Sequence, residues 1–190
     1  MADTEDIIKV SESDRYFAED VKHHSGVDFN RCLFCRSCGN GCPFDQAMDY
    51  HPYAVLRLIQ YGLREKALGC STIWVCVSCH TCSSQCPMSI DIPAVMHALC
   101  SMALEEHVAP DAPDILDFHL EALRSIEKHG LAHKLGIMFR HKLITGQWFK
   151  DFDLGLRMLA KRKLDLLPSR VQAMEEIIRL FTPDWKAYLP

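Results

Sequence analysis

The sequence predicts a mainly α-helical fold built on a cysteine-rich unit that occurs twice. Apolar residues recur at helical spacing between and after the cysteine segments, and only residues 73–75, Ile-Trp-Val, suit an extended segment. The cysteine segments cover residues 32–43 and 76–87, and a helix headed by proline follows each of them. We therefore expect a core with approximate twofold symmetry, followed by a helical C-terminal extension.

Two helices are predicted inside this core. The first covers residues 52–68, because Pro52 suits the first helical position and Gly69 suits the residue after the end. The second starts just after Asp91 and continues to about residue 107. The apolar faces comprise Val55, Leu56, Ile59, Leu63 and Ala67 in the first helix, and Val95, Leu99, Met102 and Ala103 in the second.

Changes in composition divide the chain into three parts. Residues 1–28 are polar and acidic, and we interpret them as an N-terminal arm with some helix around residues 14–22. Such an arm is either a frayed terminus or a segment that docks on a partner. Residues 29–109 form the cysteine-rich domain, and Pro110 and Pro113 mark its end.

The C-terminal region, residues 110–190, has no cysteine and is predicted to be helical, with a role in partner docking. Glycine and proline residues separate four predicted helices, at 114–129, 131–144, 147–165 and 169–181. The stretch Lys161-Arg162-Lys163 is basic, and Arg140, Lys142 and Lys150 precede it. This stretch is either a solvated helix face or a docking surface for an acidic partner.

The composition argues against several classes of function. The 190 residues carry 21 basic and 25 acidic side chains, whereas a general nucleic-acid-binding protein is usually clearly basic. No apolar stretch reaches the ~20 residues of a transmembrane helix, and the acidic start lacks the features of a secretory signal. The chain has ten cysteines, most of them tightly clustered. We therefore expect a cytoplasmic protein whose clustered cysteines bind metal rather than form disulfides.

The cysteine motif is Cys-x2-Cys-x2-Cys-x3-Cys-Pro, and it occurs twice. The first run contains Cys32, Cys35, Cys38 and Cys42, and the second contains Cys76, Cys79, Cys82 and Cys86. Three thiolates at this spacing wrap a short loop around one cubane, and Gly39 and Gly41 are expected to allow a close backbone approach. Zinc sites usually pair two distant Cys-x2-Cys knuckles, which fits the pattern less well. Radical enzymes with an open iron use only three cysteines in such a motif.

Both runs resemble the motif of two-cluster ferredoxins, in which the fourth cysteine of each run binds the other cluster. By this resemblance the chain holds two [4Fe–4S] clusters with crossed ligands. The first cluster is assigned to Cys32, Cys35, Cys38 and Cys86, and the second to Cys76, Cys79, Cys82 and Cys42. Cys70 and Cys100 are left over, and we expect them to be core residues rather than ligands. Arg36 and His80 lie inside the ligand loops and are either hydrogen-bond donors to the clusters or plain loop residues.

Two such runs that begin 44 residues apart and are joined by a helix resemble the alpha-helical ferredoxin unit. This unit occurs in fumarate and succinate dehydrogenase iron–sulfur subunits, and in the C subunits of anaerobic glycerol-3-phosphate dehydrogenase and of heterodisulfide reductase. Only 31 residues precede Cys32, so no plant-type [2Fe–2S] domain is expected there. The C subunits of the glycerol-3-phosphate dehydrogenase type continue into Cys-Cys-Gly domains, whereas this sequence has no Cys-Cys pair. The chain therefore most resembles the family of heterodisulfide reductase C subunits.

This resemblance implies a function and a set of partners. In that family, the C subunit relays electrons from a flavin-containing iron–sulfur protein to a protein whose Cys-Cys-Gly domains hold the catalytic clusters. The chain would then carry cluster ligands but no catalytic residue and no substrate site. The alternatives are a free-standing two-cluster carrier of the ferredoxin type, or an iron–sulfur subunit of another anaerobic respiratory oxidoreductase.

Overall fold

The computed structural model describes residues 14–145, 157–158, 161, 171 and 174–181, which are mostly helical and contain no strand. These residues fall into two compact units that meet in sequence between Ala112 and Pro113. The helices of the first unit are α1 (Phe17–Ser25), α2 (Ser37–Asn40), α3 (Pro52–Gln60), α4 (Arg64–Gly69), α5 (Thr72–Val75), α6 (Thr81–Ser84) and α7 (Ile92–Glu105). Those of the second unit are α8 (Pro113–His129), α9 (Lys134–Thr145) and α10 (Met174–Leu180). The prediction of a mainly α-helical fold is confirmed, and no described helix is long and apolar enough to cross a membrane.

Helix α7 is the centre of the first unit, because α1, α4, α5 and α6 all pack against it. Its start follows the sequence signals: Asp91 accepts a hydrogen bond from the Ala94 backbone N–H, and Pro93 occupies the first turn. The apolar faces predicted for the core helices are buried throughout, including Val55, Ile59 and Leu99. This burial places both cysteine runs on one hydrophobic core.

Helix α1 belongs to the same core, where the sequence alone predicts an arm. Phe17 and Val21 are fully buried, and α1 packs against α3 and α7. Arg64 lies over the Phe17 ring and forms ion pairs with carboxylates of residues before, within and beyond α1, namely Asp14, Asp20 and Glu106. Residues 14–28 are therefore folded onto the core. The division of the chain into residues 1–28, 29–109 and 110–190 stays a prediction.

The predicted helix over residues 52–68 is wrong in its continuity, because it is split into α3 and α4. Gly62 adopts φ 69°, which ends α3 in a left-handed turn. The Leu63 N–H then bonds to the Leu58 carbonyl, and the Asp14 N–H caps the Gly62 carbonyl. Gly69 is the last residue of α4 rather than the residue after it.

The extended segment predicted at residues 73–75 is also wrong, because these residues lie in the short helix α5. The Asp49 carboxylate accepts hydrogen bonds from the Ser71 and Thr72 backbone N–H groups, at 2.7 and 2.9 Å, and from the Thr72 hydroxyl. These contacts satisfy the N–H groups that the start of a helix leaves free. Ile73 and Trp74 are consequently buried by a helical turn that leads directly into Cys76.

The second unit is held by α8 and α9, which pack against each other. Glu121 of α8 is buried and is paired with Arg124 and with Arg140 of α9, whose Nε lies 2.8 Å from the carboxylate. Helix α9 begins at Lys134, later than the predicted residue 131, because the His133 ring accepts a hydrogen bond from the Gly136 N–H. Arg140 is thus part of this ion pair, and Lys161 is exposed. Most of the helix predicted at 147–165 lies outside the described residues, and α10 is the described part of the one predicted at 169–181.

Candidate metal centres

The two cysteine runs have nearly the same backbone conformation. Phe34 and Arg36 adopt φ 56° and 66°, and the residues 44 positions later, Ser78 and His80, adopt 54° and 57°. Each loop then enters a single helical turn, α2 or α6. Left-handed conformations are uncommon for residues other than glycine and are concentrated at functional sites. The repeat in the sequence is therefore also a repeat in structure.

The first cysteine cavity is lined by four thiols: three come from the first run, Cys32, Cys35 and Cys38, and the fourth is Cys86 of the second run. Apolar side chains, among them Leu56, Ile90 and Ile92, form the rest of its wall. Cys38 is buried, whereas Cys35 is exposed to solvent. The cavity thus has an inner side in the core and one thiol at the surface.

The second cysteine cavity has the complementary composition. Cys76, Cys79 and Cys82 of the second run line it, together with Cys42 of the first run. Met48, Ile92 and Met96 are among its apolar neighbours. Cys79 is the exposed thiol at this cavity, as Cys35 is at the other. Each cavity is therefore lined by three cysteines of one run and by the fourth cysteine of the other run.

Burial raises the pKa of several thiols that line the two cavities. Burial, with a smaller contribution from Cys32, Cys82 and Cys86, raises the pKa of Cys38 to about 11. Burial and neighbouring thiolates also raise the pKa of Cys76 and Cys82. A bound cation would oppose this effect and favour the thiolate form of these buried cysteines.

Each exposed thiol has a hydroxyl neighbour two residues further along the chain. Cys35 Sγ lies 3.5 Å from Ser37 Oγ, and Cys79 Sγ lies 3.4 Å from Thr81 Oγ1. These hydrogen bonds lower the pKa of both thiols. The hydroxyl contact is common to the two sites and does not distinguish them.

The donor sets fit [4Fe–4S] clusters, whose four irons are each bound by one cysteine thiolate. Four thiols line each cavity, and His80 is the one histidine that joins them. Within the described residues, no three His, Cys, Asp or Glu side chains are arranged to hold one single ion. The thiolates of a cubane stand farther apart than the ligands of a single ion, because they are bound to different irons.

The surroundings of the two cavities differ. Near the first run, the Arg36 and Arg57 guanidinium groups lie 5.5 and 4.6 Å from the centre of the Phe34 ring, and Tyr53 packs edge-on against that ring. Near the second run, Ser78 is hydrogen-bonded to His97, and His80 lies 3.7 Å from Asp91. One site is therefore aromatic and cationic on its outer side, and the other is polar and rich in histidine.

The two glycines of the first run make room for neighbouring side chains. A Cβ on Gly39 would lie 2.9 Å from the Tyr53 ring, and a Cβ on Gly41 would overlap the Gln85 side chain. Neither glycine has a positive φ or lines a cysteine cavity. The expectation that they allow a close backbone approach to the first cluster stays a prediction, and the contacts with Tyr53 and Gln85 give both glycines a packing role as well.

Cys70 and Cys100 line neither cysteine cavity. Their thiols donate to the carbonyls of Ala67 and Ile73, at 3.3 and 3.2 Å. Burial raises the pKa of each to about 12. Both contacts are those of neutral core thiols.

Sequence reasoning missed two contributors to the second site, Asp49 and His97. Asp49 holds the segment before Cys76, and the Asp49 pKa is lowered because its hydrogen bonds outweigh the effect of burial. His97 reaches the loop from α7, 19 residues away in sequence. Neither contact follows from a local motif, since each depends on how the core brings distant segments together.

Comparison with known proteins gives the same cofactor class. Residues 31–91 match the model of a 4Fe-4S dicluster domain, which spans both cysteine runs. The chain is 28% identical over 92 residues to the C subunit of the H(2):CoB-CoM heterodisulfide,ferredoxin reductase of Methanothermobacter marburgensis, covering 48% of this chain and 50% of that protein. It is 27% identical over 123 residues to a protein of Archaeoglobus profundus that is named as similar to the heterodisulfide reductase C subunit, covering 64% of this chain and 62% of the relative.

A third relative extends beyond the cysteine-rich region. The C subunit of the ferredoxin:CoB-CoM heterodisulfide reductase of Methanosarcina acetivorans is 24% identical over 152 residues, or 80% of this chain and 57% of that protein. The matched part thus spans about half the length of the curated relatives. The resemblance to heterodisulfide reductase C subunits predicted from the cysteine runs is confirmed, at modest identity.

Proposed function

We propose that this chain, which carries a 4Fe–4S dicluster domain and is related to heterodisulfide reductase C subunits, is the electron-relay subunit of a heterodisulfide-reductase-like complex. It would take electrons from a flavin-containing iron–sulfur partner and deliver them to a partner with catalytic Cys-Cys-Gly domains. When bound, each [4Fe–4S] cluster supplies one-electron redox chemistry. The chain's own residues bind the clusters, bury one side of each and expose the other.

The single observation that carries this proposal is the distribution of the cysteines over the two cavities. Cys86 lines the cavity of the first run, and Cys42 lines the cavity of the second. This arrangement supports crossed ligation, with Cys32, Cys35, Cys38 and Cys86 at one cluster and Cys76, Cys79, Cys82 and Cys42 at the other. Under this assignment each iron has a protein ligand and none is open to substrate, so the reduction itself belongs to a partner.

Two exposed contact points support a relay. Cys35 is exposed beside Leu33, which is 66% exposed, and Cys79 is exposed beside Val77, which is 56% exposed. An apolar side chain next to a solvent-facing ligand suits a surface that a redox partner covers while electrons pass. Each cysteine cavity has one such point, as a chain with an electron donor at one site and an acceptor at the other requires.

The proposed complex also has a location in the cell and a docking region on this chain. We propose a cytoplasmic complex, and we assign partner docking to the C-terminal region, residues 110–190. The second unit exposes Phe118, Leu123 and Phe139 among its described residues. Aromatic side chains are enriched in interfaces between subunits, and obligate interfaces are more hydrophobic than transient ones.

Anaerobic purification from the native source tests this function. We expect the chain to co-purify with a flavin-containing partner and a Cys-Cys-Gly partner, and to contain about eight iron and eight sulfide per chain. Mixed with both partners, it should restore electron transfer from the flavin to the disulfide substrate. About four iron per chain would exclude two cubanes, and disulfide reduction by the purified chain alone would exclude a pure relay.

A matched control separates the relay from a free-standing carrier. A chain truncated after residue 112 retains both cysteine runs but lacks the proposed docking region. If the chain is part of a complex, the full chain should bind its partners and the truncated chain should not. Isolation of the full chain as a monomer that serves several unrelated enzymes would favour the carrier.

A further inference from the structure

A cationic and aromatic patch lies beside the exposed end of the first cysteine run. The Phe34 ring packs edge-on against Tyr53, with 5.3 Å between the ring centres. The Arg36 guanidinium lies 5.5 Å from the Phe34 centre and 5.9 Å from the Tyr53 centre, and the Arg57 guanidinium lies 4.6 Å from the Phe34 centre. Leu33 and Arg36 are exposed to solvent. We call these five residues the arginine face.

The two guanidinium groups of the arginine face have no carboxylate partner in the part of the chain that the structure describes. Arg57 Nη1 donates to Gln60 Oε1 at 2.8 Å, which is a neutral acceptor. Arg64, by contrast, pairs with three carboxylates. A guanidinium has five N–H donors, and contact with an aromatic ring uses none of them. Both arginines therefore retain donors for an acceptor outside the chain.

The carboxylates on either side of the first run are already paired with other cations. Asp28, before the run, lies 3.9 Å from the Lys22 ammonium and 4.0 Å from Nε of Arg31. Asp45, after the run, is paired with His51. Neither carboxylate is paired with the arginine face, which therefore presents two positive charges beside the exposed thiol of the first cavity.

The aromatic rings hold these charges in place. A guanidinium stacked on a ring has fewer conformations to lose when a partner binds, so less entropy opposes association. Its planar group of N–H donors also matches the two oxygens of a carboxylate. Arginine and tyrosine are frequent among the residues that contribute most to binding at protein interfaces. The face is thus suited to an acidic protein surface.

The second run has no arginine face, although the same positions of the fold are occupied there. The loop residues lie 44 positions later in the sequence, and α3 and α7 begin 40 positions apart. His97 contacts Ser78 in the second site, as Arg57 contacts Phe34 in the first. The corresponding residues all line an open cavity of about 460 Å³, and they are Ser78, His80, Pro93 and His97. One site is therefore filled and cationic, whereas the other is a recess.

We propose that the arginine face is the docking surface for one redox partner of this chain, a protein that presents carboxylate side chains around its own site of electron exchange. This inference rests on the proposed function, because it describes the chemistry of one of the two partners that a relay requires. Cys35 is exposed within the same loop, so docking at this face would bring that partner to the first cluster. The other partner would meet the recess at the second run.

The overall charge of the chain makes such a local surface necessary. The formal net charge is −4, so the chain as a whole repels an acidic partner. A positive patch beside one cluster attracts that partner to one place and fixes its orientation. Complementary charge of this kind acts mainly on the rate of association and on specificity, and salt weakens it.

Binding of the full cluster-loaded chain to each separately purified partner, measured anaerobically by surface plasmon resonance at several salt concentrations, tests the proposal. For one partner, the double variant Arg36→Gln with Arg57→Gln should lower the affinity about tenfold at low salt and weaken its dependence on salt. Arg36→Lys retains the charge and should retain most of the salt dependence. The other partner should bind all these variants equally.

Two matched controls change other exposed side chains. Arg15→Gln removes the same charge outside the arginine face, since the neighbouring Asp14 N–H bonds to Gly62 beyond the end of α3, whereas Tyr53 lies at its start. His97→Gln changes the counterpart of Arg57 at the second run. Both should leave the affinity for the acidic partner unchanged. Iron content and the midpoint potential of the first cluster, measured in every variant, separate docking from an effect on the cluster.

Four results would overturn the proposal: unchanged binding of both partners by the double variant, equal weakening of both, an altered potential of the first cluster without altered binding, or self-association of the unmodified chain that the double variant abolishes. The last result would assign the face to a second copy of this chain. If the unmodified chain binds both partners and the variants have no effect, only the docking role is rejected. If it binds neither partner, the proposed function fails and this inference fails with it.

Discussion

The first and second cysteine runs have the same cysteine spacing and a left-handed backbone at the same two positions, yet different residues surround them. Around the first run, Phe34 and Tyr53 pack with two guanidinium groups. Around the second, Ser78 and its hydrogen bond to His97 take the place of the aromatic ring. A repeated motif therefore determines where the cysteines lie, and its non-repeated neighbours determine how the two cavities differ.

Different hydrogen bonds also support the segments that lead into the two runs. Asp49 holds the segment that leads into the second run through three hydrogen bonds to Ser71 and Thr72. The corresponding turn before the first run, Phe29–Arg31, is contacted by Gln60, whose Nε2 donates to the Phe29 carbonyl at 3.3 Å. A carboxylate that accepts several bonds stabilises more than a single neutral contact. The runs should consequently respond differently to substitution.

The largest effect is expected when a fourth cysteine is removed. Cys86→Ser should remove the cluster held by Cys32, Cys35 and Cys38, because Cys86 lines the first cavity. Iron should fall from about eight to about four per chain. Electron paramagnetic resonance should show that the lost signal is the first cluster's. The matched variant, Cys42→Ser, should remove the second cluster. Loss of each run's own cluster would reject crossed ligation.

A smaller effect is expected at Asp49. Asp49→Ala should reduce the free energy of unfolding by about 2 kcal/mol at pH 7, because the N–H groups of Ser71 and Thr72 lose their acceptor. The lowered pKa of Asp49 means that this stabilisation is present above the ordinary value for Asp and is lost as pH falls through the lowered one. Anaerobic thermal unfolding measures the change.

The position of Asp49 predicts which cluster is affected. In Asp49→Ala, a chelator should remove the second cluster faster than the first, since the loosened segment leads into Cys76. Asp45→Ala removes a partner of His51 on the surface and is the matched control, with little effect on either cluster. Equal loss of both clusters would show that Asp49 supports the whole core rather than one run.

Gly39 tests the difference in packing between the runs. Its counterpart 44 residues later is Ser83, but a Cβ at Gly39 would lie 2.9 Å from the Tyr53 ring. Gly39→Ala should therefore destabilise the protein by about 1–2 kcal/mol through overpacking. Thermal unfolding of the double variant with Tyr53→Leu should recover part of the loss. A neutral Gly39→Ala would show that Tyr53 moves freely.

The smallest effect is expected at Gly41. A Cβ there would overlap only the end of the Gln85 side chain, which is exposed and flexible. Gly41→Ala should change the free energy of unfolding by less than about 0.5 kcal/mol. A loss as large as that of Gly39→Ala would mean that Gln85 is fixed and that the two runs are locked together at this point.

Sequence patterns predict those features of the fold that depend on neighbours in the chain. Helix α7 follows from Asp91 and Pro93, and the buried positions of both core helices follow from their spacing. The extended segment predicted at residues 73–75 is wrong because β-branched and aromatic residues favour a strand, whereas Asp49, distant in sequence, stabilises a helical turn. The burial of α1 has the same explanation, since its apolar residues are few and depend on α7 for cover.

The candidate site divides in the same way. The eight cysteines follow from the repeated motif, and their grouping follows from its resemblance to two-cluster ferredoxins. The Ser78–His97 contact has no such signal, because His97 is one of several histidines on exposed positions. Only the packing of the second run against α7 distinguishes His97 from the other exposed histidines.

The most direct test of the two-cluster account is a crystal structure of the anaerobically purified chain, with anomalous diffraction recorded at the iron edge. We expect two iron clusters, one bound by Cys32, Cys35, Cys38 and Cys86, and one bound by Cys76, Cys79, Cys82 and Cys42. A single cluster, a mononuclear ion at either cavity, or two clusters each bound by the four cysteines of one run would contradict the account.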